Sequence, residues 1–77
     1  MTMSKDELLK YLDDTGGAEA VRVAARFGLD YAAAAMALLR LTRQGLAQRA
    51  LDPARGLLWY RITPRGAERL AYFQSES

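Results

Sequence analysis

Glu19-Ala20-Val21-Arg22-Val23-Ala24-Ala25-Arg26-Phe27-Gly28-Leu29-Asp30-Tyr31 is the stretch on which the fold turns. Residues 19–27 read as a helix with Val21, Ala24, Ala25 and Phe27 on an apolar face. Arg22 and Arg26 form an i, i+4 pair on the other side. Gly28 suits the left-handed conformation that ends a helix. Asp30, two residues on, is a good N-cap for the next helix. Helix, tight turn and helix follow one another without slack.

Outward from this turn the pattern continues in both directions. Residues 31–44 form a third helix, strongly favoured by Ala32 to Ala35 and Ala37 and ended by Gly45. Ala34, Leu38 and Leu41 share its core-facing side. Upstream, Ser4-Lys5-Asp6-Glu7 is a capping box that opens a helix over residues 4–15. Leu8, Leu9 and Leu12 recur there at helical spacing, and Gly16-Gly17 stops the run. Downstream, residues 46–51 and 57–62 read as strands around the turn Asp52-Pro53-Ala54-Arg55-Gly56. They pair as a hairpin spanning residues 46–62. Thr63 caps a last helix over residues 64–74 with Pro64 at its first position, and the tail Ser75-Glu76-Ser77 frays. The expected architecture is mainly α with a small β-hairpin (α+β), a single domain over residues 1–77. A three-helix core containing a helix-turn-helix carries a two-stranded wing and a C-terminal helix.

Composition narrows the chemistry. The chain has 77 residues, 51% of them apolar, with no cysteine and no histidine. Disulfides and thiolate sites are excluded, and the commonest general base and metal ligand are missing. Asp13-Asp14 is a surface pair, because adjacent helical residues do not face one point. No glycine-rich phosphate loop or nucleophile–base pair occurs, so neither an enzyme nor a metal or cofactor site is expected. No apolar run approaches a membrane span, and the polar start is no signal peptide. A cytoplasmic protein is expected. The charge is uneven: net −2 from Met1 to Leu39, and +4 from Arg40 to Ser77. A basic second half suits an anionic partner.

Three segments resemble bacterial winged helix-turn-helix regulators of the MarR and PadR type. Residues 21–30 look like their second helix and turn. Leu38-Leu39-Arg40-Leu41-Thr42-Arg43-Gln44-Gly45-Leu46 is similar to the end of their recognition helix. Tyr60-Arg61-Ile62-Thr63-Pro64-Arg65-Gly66-Ala67-Glu68-Arg69-Leu70 resembles their wing exit. The resemblance implies double-stranded DNA as partner, with the third helix in the major groove, the wing on the backbone or minor groove, and a homodimer. The matching positions are Ala32, Ala33, Met36, Ala37, Arg40 and Arg43 on the helix, and Arg49, Arg55 and Arg61 on the wing, with Arg55 at its tip.

The third helix departs from that pattern. Alanine touches a thymine methyl but makes no hydrogen bond to a base edge. Direct readout is therefore expected to be limited, with phosphate contacts carrying the affinity. Ala32, Met36 and Leu39 also form an apolar stripe away from the core side. Such a stripe fits a DNA groove, a protein interface or a second buried face. The alternative function is a protein-interaction module, an adaptor or a small inhibitor, using this face. Tyr11, Tyr72 and Phe73 fit either a terminal-helix dimer seam or the domain's own core. Trp59 and Tyr60 point to opposite faces of their strand, so one of them belongs to the core.

Overall fold

The computed structural model describes residues 3–76. The elements run α1 (Lys5–Thr15), α2 (Ala20–Phe27), α3 (Tyr31–Arg43), β1 (Ala47–Asp52), β2 (Leu57–Ile62) and α4 (Pro64–Glu76). The strands pair antiparallel, with Ala47 opposite Ile62, Arg49 opposite Tyr60 and Asp52 opposite Leu57.

Each helix begins and ends for a local reason. Ser4 caps α1, with both halves of the capping box formed: the Glu7 amide donates to Ser4 Oγ at 3.4 Å, and the Ser4 amide to Glu7 Oε1 at 3.4 Å. Asp30 caps α3 by accepting the Ala33 amide at 2.7 Å. Gly45, at φ +76°, ends α3. Its amide donates to the Thr42 carbonyl and the Leu46 amide donates to the Leu41 carbonyl, the paired bonds of a Schellman terminus. At the hairpin turn the Asp52 carboxylate accepts the Ala54 amide, and the Asp52 carbonyl accepts the Gly56 amide at 2.7 Å.

The core gathers Leu8, Leu9 and Leu12 from α1, Ala20 and Val23 from α2, and Ala34, Leu38 and Leu41 from α3. Leu46, Ala47, Tyr60 and Leu70 close it from the wing side and α4. Leu8, Leu9, Leu12, Leu38, Leu46 and Val23 are fully buried. Each stabilises the fold by about 1.5–3 kcal/mol relative to exposure.

Several sequence expectations need correction. On α2 the buried positions are Ala20 and Val23, with Ala24 and Phe27 half-buried, whereas Val21 and Ala25 lie in solvent. The apolar face is rotated because Ala18, just upstream, is bridged to Tyr60 and fixes the start of the helix. That bridge also leaves Glu19 extended as the N-cap, so α2 starts one residue later than expected. Helix α3 ends at Arg43, with Gln44 as C-cap. Strand β1 starts at Ala47, since Leu46 is committed to the helix terminus, and it reaches Asp52. Helix α4 continues past Gln74 to Glu76, with the Ser75 hydroxyl donating to the Tyr72 carbonyl at 2.9 Å. Ser77 lies outside the described residues. Tyr60 is the core aromatic of its pair, while Trp59 is half-buried and packs over Gly17.

One junction holds the two halves together. The Thr63 amide donates to the Leu46 carbonyl at 3.1 Å, and the Thr63 hydroxyl donates to the Gly45 carbonyl at 2.7 Å. The same hydroxyl accepts the Gly66 amide at 3.0 Å, capping α4. Gly66 presses against the Leu46 backbone and the Ile62 side chain, leaving no room for a Cβ. This is the physical content of the Thr63-Pro64-Arg65-Gly66 motif.

Candidate nucleic-acid interface

Helix α3 shows two different outward surfaces. Its first turns present Ala32, Ala33 and Met36 to solvent, with Met36 46% exposed. Leu39 is half-buried, and Ala37 is half-buried against the core. The apolar stripe of Ala32, Met36 and Leu39 is therefore not a second core face: two of its three residues stand in water. The last turn is cationic, with Arg40 and Arg43 both exposed. Cations there also suit the negative end of the helix dipole.

Two further cations extend this end, and neither was among the sequence candidates. Arg65, at the start of α4, lies beside Gly45, where a Cβ would be 3.6 Å from its Nη1. Lys5, at the start of α1, shares a shallow groove of about 150 Å³ with Arg40, Ala37 and Gln44. Sequence spacing alone does not bring residues from three helices to one end of α3. Among the described residues, Arg40, Arg43 and Arg65 make no ion pair.

The wing distributes its arginines differently. Residues directly opposite in an antiparallel pair share a face. Arg49 sits opposite Tyr60 and so shares a face with Leu51 and Leu58. Arg61 sits opposite Gln48 on the other face, where the Arg61 guanidinium donates to Gln48 Oε1 at 3.5 Å. Arg55, in the turn, is half exposed, and its guanidinium reaches back to Glu19 Oε1 at 3.6 Å. The expected wing set thus spans two faces and a tip, rather than one surface.

The remaining aromatic candidates separate in the same way. Tyr72 is 60% exposed on α4, and Phe73 is half-buried against the core, with ring centroids 6.3 Å apart. Tyr11 meets Phe27 edge to face at 5.6 Å, inside the domain's own packing. Between the wing and α2 lies a cleft of about 480 Å³, walled by Val21, Tyr31, Leu57, Leu58 and Tyr60. Asp13 and Asp14 are exposed, and Asp14 pairs with Lys10 at 3.3 Å. No described helix is long and apolar enough to cross a membrane.

Three helices, a hairpin and a closing helix in this arrangement make the chain a winged helix-turn-helix of the kind found in MarR-type regulators. Solved structures agree. The transcriptional regulator BldR from Sulfolobus solfataricus superposes with a TM-score of 0.80 at 26% identity, over 88% of this chain and 49% of its own. BpsR from Bordetella bronchiseptica, whose DNA binding is regulated by 6-hydroxynicotinic acid, gives 0.84 at 25% identity over 97% and 54%. A MarR mutant from E. coli complexed with operator DNA gives 0.84 over 94% and 52%, and at 19% identity that likeness concerns the fold alone. The chain spans about half the length of these structures. They are regulators, not enzymes. No protein-family model and no curated protein matches the sequence.

Proposed function

We propose that this chain is the DNA-binding domain of a transcriptional regulator, with duplex DNA as its partner. The observation that carries this reading is the end of α3, where Arg40 and Arg43 stand exposed, with Arg65 and Lys5 at the same end and no ion pair to Arg40 or Arg43 among the described residues. Helix α3 lies along the major groove, and Arg40 and Arg43 neutralise phosphates at its edge. Ala32, Ala33, Met36 and Ala37 offer bases only apolar contact, so direct readout is limited and the affinity is salt-dependent. Arg49, Arg55 and Arg61 add wing contacts, with Arg49 and Arg61 on different sides of the ribbon. A MarR mutant of the same fold has been solved with operator DNA, which makes duplex DNA the partner to test first. The domain works in the cytoplasm as a homodimer, with exposed Tyr72 and its neighbour Phe73 at the seam.

Fluorescence anisotropy with a random-sequence duplex across a salt series tests the reading. Micromolar or tighter binding that weakens steeply with salt is expected. No binding even at low salt would refute it. The second reading, a protein-interaction module, is favoured by one observation, the exposure of Met36 beside Ala32. It predicts that Met36→Glu abolishes association with a protein partner while arginine substitutions leave that association unchanged.

A further inference from the structure

Glu19 is the one buried charged residue among those described, 7% exposed. The chain reaches it through Ala18, whose amide donates to the Tyr60 carbonyl at 2.8 Å and whose carbonyl accepts the Tyr60 amide at 2.9 Å. Glu19 is therefore pinned at the base of the wing. As N-cap of α2 its side chain accepts no amide of the first turn. Its Oε1 instead faces two guanidinium groups, Arg22 Nε at 3.7 Å and Arg55 Nη2 at 3.6 Å. Arg22 comes from its own helix, and Arg55 comes from the wing turn.

We infer that Glu19 is a latch for the wing: its carboxylate stands in for a phosphate, and Arg55 engages a duplex by exchanging Glu19 for DNA. The inference rests on the DNA-binding reading above. Stranding a buried carboxylate without a partner is the costly event in breaking such a contact. Here the exchange avoids it, because Arg22 stays on Glu19 whatever the wing does. The 3.6 Å contact is longer than a full hydrogen bond. A phosphate oxygen offers shorter, charge-assisted bonds, and with Arg55 52% exposed it approaches from the solvent side. Glu19 thus raises the threshold for non-specific binding, and Arg22 keeps the latch openable.

The test compares wild type, Glu19→Gln, Arg55→Ala and the double variant on a random-sequence duplex across a salt series. Glu19→Gln is expected to bind about fivefold tighter at every salt concentration, with the salt slope unchanged, because Arg55 reaches the same phosphate in both complexes. In the Arg55→Ala background the same change is expected to have no effect beyond about twofold. A Glu19→Gln variant no tighter than wild type overturns the latch. So does a gain of equal size without Arg55, which would make Glu19 a simple repulsive charge. Glu19→Asp, which keeps the charge but withdraws it by one methylene, is expected to fall between and covers a failure of the amide to fold. The Arg55 Nε–H signal in NMR of the DNA-free protein gives an independent readout. It should be ordered in the wild type and motionally averaged in Glu19→Gln, and an identical signal in both overturns the latch. If no variant binds the duplex while that signal changes, the DNA reading fails and the Glu19–Arg55 contact stands.

Discussion

Thr63 Oγ1 donates to the Gly45 carbonyl at 2.7 Å, joining the residue that ends the third helix to the one that starts the fourth. The same oxygen accepts from Gly66, whose backbone touches Leu46. Removing the hydroxyl with Thr63→Val should cost about 1–2 kcal/mol, as a cap and a hydrogen bond to a helix terminus are lost together. Gly66→Ala should cost about 2–3 kcal/mol by overpacking against a carbonyl that cannot move aside. Urea unfolding checks both, with Arg65→Ala as a control expected to lie within about 0.5 kcal/mol of wild type.

Met36 and Leu38 are two residues apart on one helix and face opposite fates. Leu38 is fully buried, so Leu38→Ala should cost about 2–5 kcal/mol. Met36 is 46% exposed, so Met36→Glu should leave thermal unfolding within a few degrees of wild type. On the DNA reading it should still weaken duplex binding by more than about tenfold, since a carboxylate then faces the phosphates at close range. Calorimetry and anisotropy on the same sample separate the two effects.

Arg40→Ala and Arg43→Ala should each weaken binding to all duplex sequences by similar factors. Each should also reduce the slope of log affinity against log salt by about one. A change in sequence preference without a change in slope would assign base contacts to these arginines instead. Neither substitution should lower stability by more than about 0.5 kcal/mol, because both side chains are exposed.

Local hydrogen bonds favour the charged form of Asp6. The Ser4 hydroxyl, 2.6 Å away, holds its carboxyl below the ordinary carboxylate value, aided by amides of the first turn. A depressed value in the folded state means a contribution present above the ordinary carboxylate pKa and lost as pH falls through the folded one. In Ser4→Ala the Asp6 titration followed by NMR should move up towards the ordinary value. Losing the cap should separately cost about 1 kcal/mol at neutral pH.

The helix caps were the most legible part of this sequence, because each rests on local chemistry. Ser4 with Glu7, Asp30 with Ala33 and Gly45 with Thr42 act within a few residues of themselves. The core side of α3 was legible for the same reason, since Ala34, Leu38 and Leu41 follow one helical period. The phase of α2 was not. With six apolar residues in an eight-residue helix, period alone admits several faces, and the Ala18–Tyr60 bridge chooses among them. The candidate interface was legible on α3 and blurred elsewhere. Arg65 and Lys5 join it through tertiary packing, and the strand pairing sends Arg49 and Arg61 to opposite faces. The burial of Glu19 was not legible, because burial of a charge leaves no mark in composition.

The Ala18–Tyr60 bridge has a consequence for the chain in company. A two-stranded ribbon has two open edges, and each is a template on which another chain can add a strand. Tyr60 already spends its outward amide and carbonyl on Ala18, so the outer edge of β2 is closed near the core. Beyond that point the edge runs only through Leu57 and Leu58 before the turn, too short a stretch to seed a growing sheet. One pair of hydrogen bonds thereby closes one of the ribbon's two edges to strand addition and leaves that of β1 as the one on which another strand can pair.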